Sequence, residues 1–382
     1  MRFVIENARV VLPDRILEGA SVQVEDGHIV KVEEVGINST ARRIDAKRDY
    51  LLPGLVDIHT DAIEKEVEPR PGVLFPRSVA IFQADKRFVS SGVTTVLHSV
   101  SFAERELGLR SNEEAKKLVD AILDLKPQLS CKTGVHIRFE VSNSGAVEYV
   151  SSLIESGQID LLSFMDHTPG QGQFKTEEAY FQYMEKTYKM DRSQVRSFLL
   201  EKSKVLERAE ENIKVLAELC RSKGVVMASH DDDNVEKVLH MHQIGVSVSD
   251  FPVDLESASL AKELGMYVCL GAPNVLRGKS HAGNLSARDA ILKGACNIIA
   301  TDYLPWSALN AVFLLYREGI VPLHEAVNLA SLNPARAIGV GDQVGSIQAG
   351  KRADLVQVHY DGRFPRVLRV YVDGRQAYSL LD

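Results

Sequence analysis

The sequence has little that would tie it to a membrane, a disulfide scaffold or a nucleic acid. Its 382 residues include one tryptophan and four cysteines, Cys131, Cys220, Cys269 and Cys296, which form no CxxC pair. We therefore expect reduced, buried thiols in a cytoplasmic protein. The apolar runs are far shorter than a membrane span, and the first residues lack the order of a signal peptide. A formal net charge of −7 and the absence of a basic run argue against nucleic-acid binding.

Both ends of the chain consist of short stretches in which apolar and polar residues alternate, as in half-buried strands. VIENARVVL lies near the start and ADLVQVHY near the end, and the pairs Asp26-Gly27 and Asp373-Gly374 are typical hairpin turns. We predict that residues 1–52 and 340–382 together form one small β-sandwich domain.

The middle of the chain alternates strand-like and helix-like segments, which indicates a parallel sheet. The apolar runs are GLVDIHTD, GVTTVLHSV, TGVHIRFEV, IDLLSFMDH, GVVMASHDD, GVSVSDFPV, GMYVCLGAP and CNIIATDY. Eight such runs predict an α/β fold, a (β/α)₈ TIM barrel over residues 53–339. An open, doubly wound α/β sheet is the alternative.

One connection is long enough to be a separate feature. Residues 168–224 contain a Gly/Pro turn followed by helical sequence that Gly224 ends. Such a helical insertion is either a lid over an active site or a peripheral decoration.

Polar residues gather at the carboxyl ends of the apolar runs, where parallel barrels carry their active sites. His59 and Asp61 end the first run, and residues two apart on a strand share a face. An imidazole and a carboxylate in this arrangement suit a cation such as Zn²⁺ or Mn²⁺. The ligand-type residues that end later runs are Glu140, His167, His230 and Asp302.

Six ligand-type side chains are more than one cation needs, so we predict two divalent metal ions. Glu140 is the expected bridge, since its two oxygens carry lone pairs on both sides. Two nearby cations lower the pKa of a shared water. Asp302 could accept the proton of that water and return it to the leaving group.

The sequence resembles the amidohydrolase superfamily. PGLVDIHTD is similar to the PGxxDxHxH segment with which those barrels begin, although Asp61 stands where the second histidine is usual. Asn333-Pro334-Ala335-Arg336, followed by GSIQAGKRADLV, resembles the segment with which they end. The resemblance spans residues 53–355 and implies a barrel hydrolase with a composite β domain.

Narrower segments resemble the PhnM family of phosphonate-metabolism hydrolases. They are HTDAIEKEVEPRPGV, MDHTPGQGQF, SHDDD, GAPNVLRGKSHAGN and TDYLP. The resemblance implies hydrolysis of α-D-ribose 1-methylphosphonate 5-triphosphate to the 5-phosphate and pyrophosphate, in the carbon–phosphorus lyase degradation of phosphonates. It also implies metal ligation by the six residues named above, with Asp302 as general base.

A triphosphate substrate calls for basic and hydrogen-bonding groups beside the metals. Arg70 and Arg77 follow the first strand. The glycine-rich loop after the seventh strand contains Arg277, Lys279, His281 and Asn284. We predict that these six residues bind substrate, the alternative being that they are solvated loop residues.

Two other functions fit the same sequence. An amidohydrolase that cleaves a C–N bond, such as a deaminase or an N-deacetylase, would have a similar metal site. A non-catalytic scaffold protein is the other alternative hypothesis. Zn²⁺ is the first expectation for the metal, with Mn²⁺, Fe²⁺ or Ni²⁺ as alternatives. Barrels with side domains often dimerise, so a homodimer is a further expectation.

Overall fold

The computed structural model describes residues 1–34, 36–70, 72–103, 110–166, 178, 181–182, 184–185, 190–197, 208–280 and 283–380. The described strands form two sheets. The first, here called the terminal sheet, contains β1 (Arg2–Val11), β2 (Ile16–Glu25), β3 (His28–Glu33), β4 (Arg42–Asp45), β5 (Tyr50–Pro53), β14 (Leu355–Tyr360), β15 (Pro365–Val372) and β16 (Arg375–Ser379). The second contains β6 (Leu55–Thr60), β7 (Val93–Phe102), β8 (Lys132–Glu140), β9 (Leu161–Met165), β10 (Val226–His230), β11 (Val248–Asp250), β12 (Tyr267–Gly271) and β13 (Ile298–Ala300).

Helices alternate with the strands of the second sheet. They are α1 (Ala62–Val67), α2 (Arg77–Ser90), α3 (Asn112–Leu125), α4 (Val147–Glu155), α5 (Ala209–Lys223), α6 (Val235–Gln243), α7 (Leu255–Glu263), α8 (Ala272–Arg277), α9 (Ala287–Leu292), α10 (Ser307–Arg317), α11 (Leu323–Leu329) and α12 (Leu332–Ala337). None of these helices is both long and apolar enough to cross a membrane.

The two ends of the chain meet in the terminal sheet. Its order is β16-β15-β14-β5-β1-β2-β3, with β4 paired to β1, and the antiparallel pair β5–β14 joins the amino-terminal strands to the carboxyl-terminal ones. Asp26 and Gly27 form the turn between β2 and β3 with φ of 47° and 85°, a conformation that Asp tolerates and Gly favours. These strands form one sheet, and its division into a two-layer sandwich stays a prediction.

The second sheet is a barrel. Its strands lie in the order of the sequence from β6 to β13, and every adjacent pair is parallel. Each of the eight predicted runs contains one of these strands. All residues of β6 and β7 are buried, as expected for parallel strands covered by helices on one side. An open doubly wound sheet would instead reverse its strand order at a switch point.

Backbone hydrogen bonds connect the end of the first barrel strand, β6, to Asp302, which follows the last barrel strand, β13. Asp302 N donates to His59 O and Asp61 N donates to Asp302 O, both at 3.1 Å. The connection lies at the carboxyl ends of the strands, here called the mouth. The barrel fold is therefore confirmed, and its closure places the first and eighth strand ends side by side.

The opposite end of the barrel is closed by apolar side chains. Ala335 and Ala337 of α12 and Val344 pack with the interior residues of the strands, which include Val56 and Val248. This floor leaves the mouth as the end at which polar groups can meet solvent and a ligand.

The long connection ends in helix α5. Gly224 follows this helix in a left-handed conformation with φ of 70°, as predicted. The Asn212 side chain donates to Val141 O at 2.9 Å and to Ser144 Oγ at 3.1 Å, so α5 is fixed against the chain that leaves β8. Most of residues 168–207 lie outside the described residues, so the prediction of a lid or a peripheral decoration stays untested.

The four cysteines are buried and form no disulfide.

Candidate metal centre at the barrel mouth

The ends of separate strands bring imidazoles and carboxylates together at the mouth. His59 lies in β6, Glu140 ends β8, His230 ends β10 and Asp250 ends β11, whereas Asp302 follows β13. These side chains are buried, with exposed fractions of 2% for His59, 3% for Glu140 and 5% for His230. A protein gathers such groups out of water only if they pair with one another or with a bound ion.

An irregularity in β6 helps to aim His59 inward. The ladder between β6 and β7 pairs Asp57 with Val96 and Thr60 with His98, so β6 carries one extra residue between these pairs. Such a β-bulge breaks the strict alternation of faces. It allows Ile58 to join the apolar interior while His59 reaches the polar groups across the barrel.

His59, His230 and Asp250 form the tightest donor group. One potential ligand atom from each lies within 4.8 Å of the others. The Oδ2 atom of Asp250 is 2.6 Å from Nδ1 of His59, and the two histidine rings are 5.4 Å apart. Phe251 packs edge-on against both rings, at 4.7 Å and 5.5 Å. This aromatic wall restricts the rings and excludes water from one side.

Asp250 is not among the predicted site residues. A signal was present, because Asp250 is the one acid in the sixth apolar run. Its hydrogen bond to Nδ1 of His59 is the carboxylate–histidine contact that orients many metal-binding histidines and leaves Nε2 for the ion.

The pKa values show how strongly these groups interact. Burial raises the pKa of Asp302 to about 7, and the Asp61 carboxylate adds to that rise. Burial opposes ionisation of Asp250, but the adjacent His59 holds the pKa of this carboxyl well below its usual range. Burial lowers the pKa of His230 against the effect of Asp231, which favours the neutral imidazole that binds metals.

Two arginines lie next to Asp61. Arg110 is 4.0 Å from Asp61 Oδ2 and 3.1 Å from Glu64 Oε2. Arg138 lies 3.9 Å from Asp61 Oδ2, and its Nη2 atom lies 3.4 Å from Nε2 of His230. The sequence analysis did not count either arginine as a site residue.

Three polar side chains lie one above another on the inward face of β8, from the barrel interior to the mouth. His136 is deepest, fully buried, with Nδ1 2.9 Å from Ile58 O and Nε2 2.5 Å from Ser163 Oγ. Arg138 follows beside Asp61, and Glu140 lies at the strand end. His136 is thus a structural residue below the mouth, whereas Arg138 and Glu140 reach it.

The donor set fits divalent cations. Among the described residues, Oδ1 of Asp61 and Oδ1 of Asp250 are buried and have no hydrogen-bond partner, although buried carboxylate oxygens are nearly always paired. Together with the imidazoles of His59 and His230 they provide the nitrogen and oxygen ligands that Zn²⁺ and similar ions prefer. His167 lies outside the described residues, so its place in the set stays a prediction, as do the ligand roles of the others.

The backbone has positive φ at three strand ends around the mouth. Asp231, Phe251 and Asp302 have φ of 54°, 59° and 58°. Each follows a barrel strand by one or two residues. Asp adopts this left-handed region fairly readily, whereas a bulky residue such as Phe251 does so rarely.

Comparison with known proteins agrees with this geometry. The model of the amidohydrolase family matches residues 50–377. The chain belongs to the amidohydrolase family. It is 32% identical over 380 residues to the alpha-D-ribose 1-methylphosphonate 5-triphosphate diphosphatase of Escherichia coli (strain K12), which covers 98% of this chain and 100% of that protein. An imidazolonepropionase of Thermoplasma volcanium is 22% identical over 369 residues, 90% of this chain and 85% of its own.

Solved structures agree on the fold. The N-acetylglucosamine-6-phosphate deacetylase of Pasteurella multocida superimposes with a TM-score of 0.65 at 15% identity, over 98% of this chain and 99% of its own. An amidohydrolase crystal structure gives a TM-score of 0.66 at 17% identity, over 100% of both chains. At these identities the likeness concerns the architecture alone.

Behind His230, this amidohydrolase uses its aspartates in different ways. Asp231 Oδ2 lies 3.1 Å from Nδ1 of His230. Asp232 is fully buried and accepts hydrogen bonds from Ser229 and Ser249 at 2.7 Å and 2.5 Å. The N-cap of α6 is Asn234 rather than any of the aspartates. These contacts place Asp231, rather than Asp232, beside the His230 ring.

The predicted substrate-binding residues follow the first and seventh strands of the amidohydrolase barrel in the chain. Arg277 ends α8 and is exposed, as is Lys279, whereas Asn284 is half-buried. Arg70 is exposed, and Arg77 pairs with Glu114 of α3. His281 lies outside the described residues. Their contact with substrate stays a prediction.

Proposed function

We propose that this protein hydrolyses α-D-ribose 1-methylphosphonate 5-triphosphate to its 5-phosphate and pyrophosphate, with two divalent cations at the mouth. The observation that carries the proposal is the match to the E. coli diphosphatase, which extends over the full length of both proteins. The donor set supports it, since the buried acids and imidazoles described above are suited to metal-assisted hydrolysis.

His59, Asp61, Glu140, His230 and Asp302 would hold the cations, with Glu140 as the bridge and Asp250 orienting His59. His167 belongs to the proposed set by resemblance. When bound, the cations would acidify water at the site and neutralise negative charge on the phosphates.

The protein's own residues then manage the proton and the charge. A water oxygen bonds to the α-phosphorus, and the bond from this phosphorus to the α–β bridging oxygen breaks. Asp302 accepts the proton of the attacking water and delivers it to the departing pyrophosphate, which keeps the bridging oxygen. A carboxylate positioned beside the attacking water suits both transfers. Arg277, Lys279, His281, Asn284, Arg70 and Arg77 are the proposed contacts to the remaining phosphates.

Hydrolysis in ¹⁸O-labelled water tests both the reaction and its position. Phosphorus NMR of the products should show pyrophosphate, with the label in the 5-phosphate, because attack at the α-phosphorus leaves the new oxygen there. ATP is a simpler probe and should yield AMP and pyrophosphate. Label in pyrophosphate, or release of inorganic phosphate alone, would contradict the proposal.

Cleavage of a C–N bond is the second candidate. Weaker matches over most of the chain to imidazolonepropionase and to dihydroorotase, both at 22% identity, favour it. Turnover of amide or imide substrates without any cleavage of triphosphates would establish this alternative. A scaffold without catalysis would bind no metal, so metal analysis of the purified protein tests that reading.

A further inference from the structure

Arg138 is a buried arginine with few partners. It lies on β8, two residues before Glu140 and on the same strand face, and its side chain is only 8% exposed. A guanidinium group carries five N–H donors and keeps its charge at any ordinary pH. Burying it is costly unless these donors meet acceptors.

The contacts of Arg138 fall short of that need. Its Nη1 atom is 3.9 Å from Asp61 Oδ2, beyond hydrogen-bond distance. Its Nη2 atom makes one long hydrogen bond, 3.4 Å, to Nε2 of His230. Its Nε atom is buried and has no hydrogen-bond partner in the described part of the chain. The side chain is held at the mouth without being neutralised there by a close carboxylate.

Arg110, which also lies next to Asp61, forms a close ion pair and serves as a comparison for Arg138. Its Nε and Nη2 atoms both donate to Glu64 Oε2, at 3.2 Å and 3.1 Å. The side chain of Glu64 is 13% exposed, so this carboxylate is buried about as deeply as Arg138. Within the described part of the mouth, Arg138 has no carboxylate as close as Glu64 is to Arg110.

The single acceptor of Arg138 is also a candidate metal ligand. Nε2 of His230 accepts from Arg138, so its lone pair faces the guanidinium group, while Asp231 lies 3.1 Å from Nδ1 on the other side of the ring. A cation at Nε2 would take the lone pair that now accepts from Arg138. The guanidinium would then have donors on Nε and Nη2 for an incoming anion, beside the residues that would hold the cations.

We propose that Arg138 binds non-bridging oxygens of the substrate phosphoryl group at the mouth, so that the protein selects tetrahedral oxyanions over neutral amides. The proposal rests on the proposed function. The planar fork of arginine matches two oxygens of one phosphoryl group, whereas a neutral amide offers a single uncharged oxygen.

The test measures binding without turnover. The probe is α,β-methylene-ATP, in which carbon replaces the bridging oxygen of the bond to be broken. Isothermal titration calorimetry compares wild type with Arg138→Gln and Arg138→Lys, each with metals loaded and after chelation. Arg48→Gln is the matched control, because Arg48 is an exposed arginine of the terminal sheet with a 66% exposed side chain. Metal content and the midpoint of thermal unfolding are recorded for every variant.

We expect Arg138→Gln to bind the probe at least tenfold more weakly than wild type, with unchanged metal content and a similar unfolding midpoint. Arg138→Lys should lose less, because a point charge replaces the fork, and Arg48→Gln should lose nothing. Wild-type affinity in Arg138→Gln overturns the inference. Loss of metal in Arg138→Gln also overturns it, because Arg138 would then serve the metal ligands. If Arg138→Gln is insoluble, the same two results in Arg138→Lys decide.

The outcomes separate this inference from the proposed function. A wild-type protein that binds the probe through Arg138 but cleaves no triphosphate refutes the function and keeps the anion site. A wild-type protein that cleaves triphosphates, with Arg138→Gln unimpaired in binding, refutes the anion site alone. A wild-type protein that neither binds nor cleaves refutes both.

Discussion

The mouth of the barrel and the terminal sheet both bury charged side chains, but they differ in how fully the polar atoms of these side chains are hydrogen-bonded. Near the sheet, Asp354 accepts from Lys132 Nζ at 2.6 Å and from the Asp373 amide at 2.8 Å. At the mouth, one oxygen of Asp61, one oxygen of Asp250 and Nε of Arg138 have no hydrogen-bond partner among the residues that the structure describes.

The same contrast holds elsewhere in the terminal sheet. Asp49 accepts from Gln357 at 3.0 Å and lies 2.8 Å from Nδ1 of His359. Buried charges that stabilise a fold are paired within that fold. Buried charges left without partners indicate a place where a ligand completes the set, so the contrast separates structural from functional groups.

The largest expected effect concerns the proposed base. Asp302→Asn should lower turnover by about three orders of magnitude or more, because the amide cannot accept the water's proton. Pyrophosphate release from ATP measures this effect, and metal analysis of the same sample separates it from a loss of ions. Loss of a buried carboxylate should leave the unfolding midpoint unchanged or raise it. Turnover within tenfold of wild type would remove Asp302 from this role.

The next effect concerns Asp250. Asp250→Asn should weaken metal affinity by roughly 10- to 100-fold, as expected when the carboxylate that orients a ligating histidine is lost. Metal content after dialysis against buffered metal measures the change. Asp14→Asn is the control, since the Asp14 side chain is 68% exposed. Equal metal retention in both variants would contradict a role for Asp250 at the centre.

A substitution near the terminal sheet should lower stability and leave turnover unchanged, the opposite of the effect expected for Asp302→Asn. Lys132→Met leaves Asp354, whose side chain is 1% exposed, without its cation. We expect unfolding free energy to fall by about 3 kcal/mol, the lower end for a broken buried pair, because Lys132 is itself 26% exposed. Chemical denaturation measures the loss. The turnover number should not change, and a fall in turnover without a fall in stability would break the comparison between the two regions.

The smallest effect is a dependence of stability on pH. His98 packs against Phe88 of α2, with ring centroids 5.6 Å apart. Burial lowers the pKa of His98 to about 4, below its value of about 6.5 in an unfolded chain. Between these values the unfolded state binds a proton that the folded state does not, so stability falls as the pH falls from 6.5 towards 4.

The size of this loss is about 2 kcal/mol at pH 5 relative to pH 7, from roughly 1.4 kcal/mol per pH unit. Denaturation curves at pH 7 and pH 5 measure it. His98→Leu should flatten this part of the pH profile, since the titrating ring is absent. An unchanged profile in His98→Leu would assign the acid sensitivity to other groups.

Much of the fold follows from local pattern. Each of the eight apolar runs contains a barrel strand, because parallel strands buried on both faces need continuous apolar sequence. Asp26-Gly27 forms a turn between strands and Gly224 ends a helix, because left-handed backbone favours these residue types. The polar strand ends predicted His59, Glu140, His230 and Asp302 as neighbours, since the carboxyl ends of parallel strands share one edge.

The contacts within the site do not follow from local pattern. Asp250 and Arg138 are an acid and a base on apolar strands, and nothing local distinguishes them from structural partners such as His136. Their roles depend on which side chains they face across the barrel, up to 191 positions apart for the His59–Asp250 contact. The bulge in β6 is equally hidden, because it depends on the register of a strand pair.

By itself, the sequence determined the strands, their buried faces and the chemical types gathered at one end, since these follow from periodicity and turn chemistry along a few residues. Only the tertiary structure decided that Asp250 contacts His59, that Arg110 has its acid and that Arg138 lacks one. The physical reason is that pairing between buried charges depends on distances of a few ångströms, and barrel closure sets those distances between residues far apart in the chain.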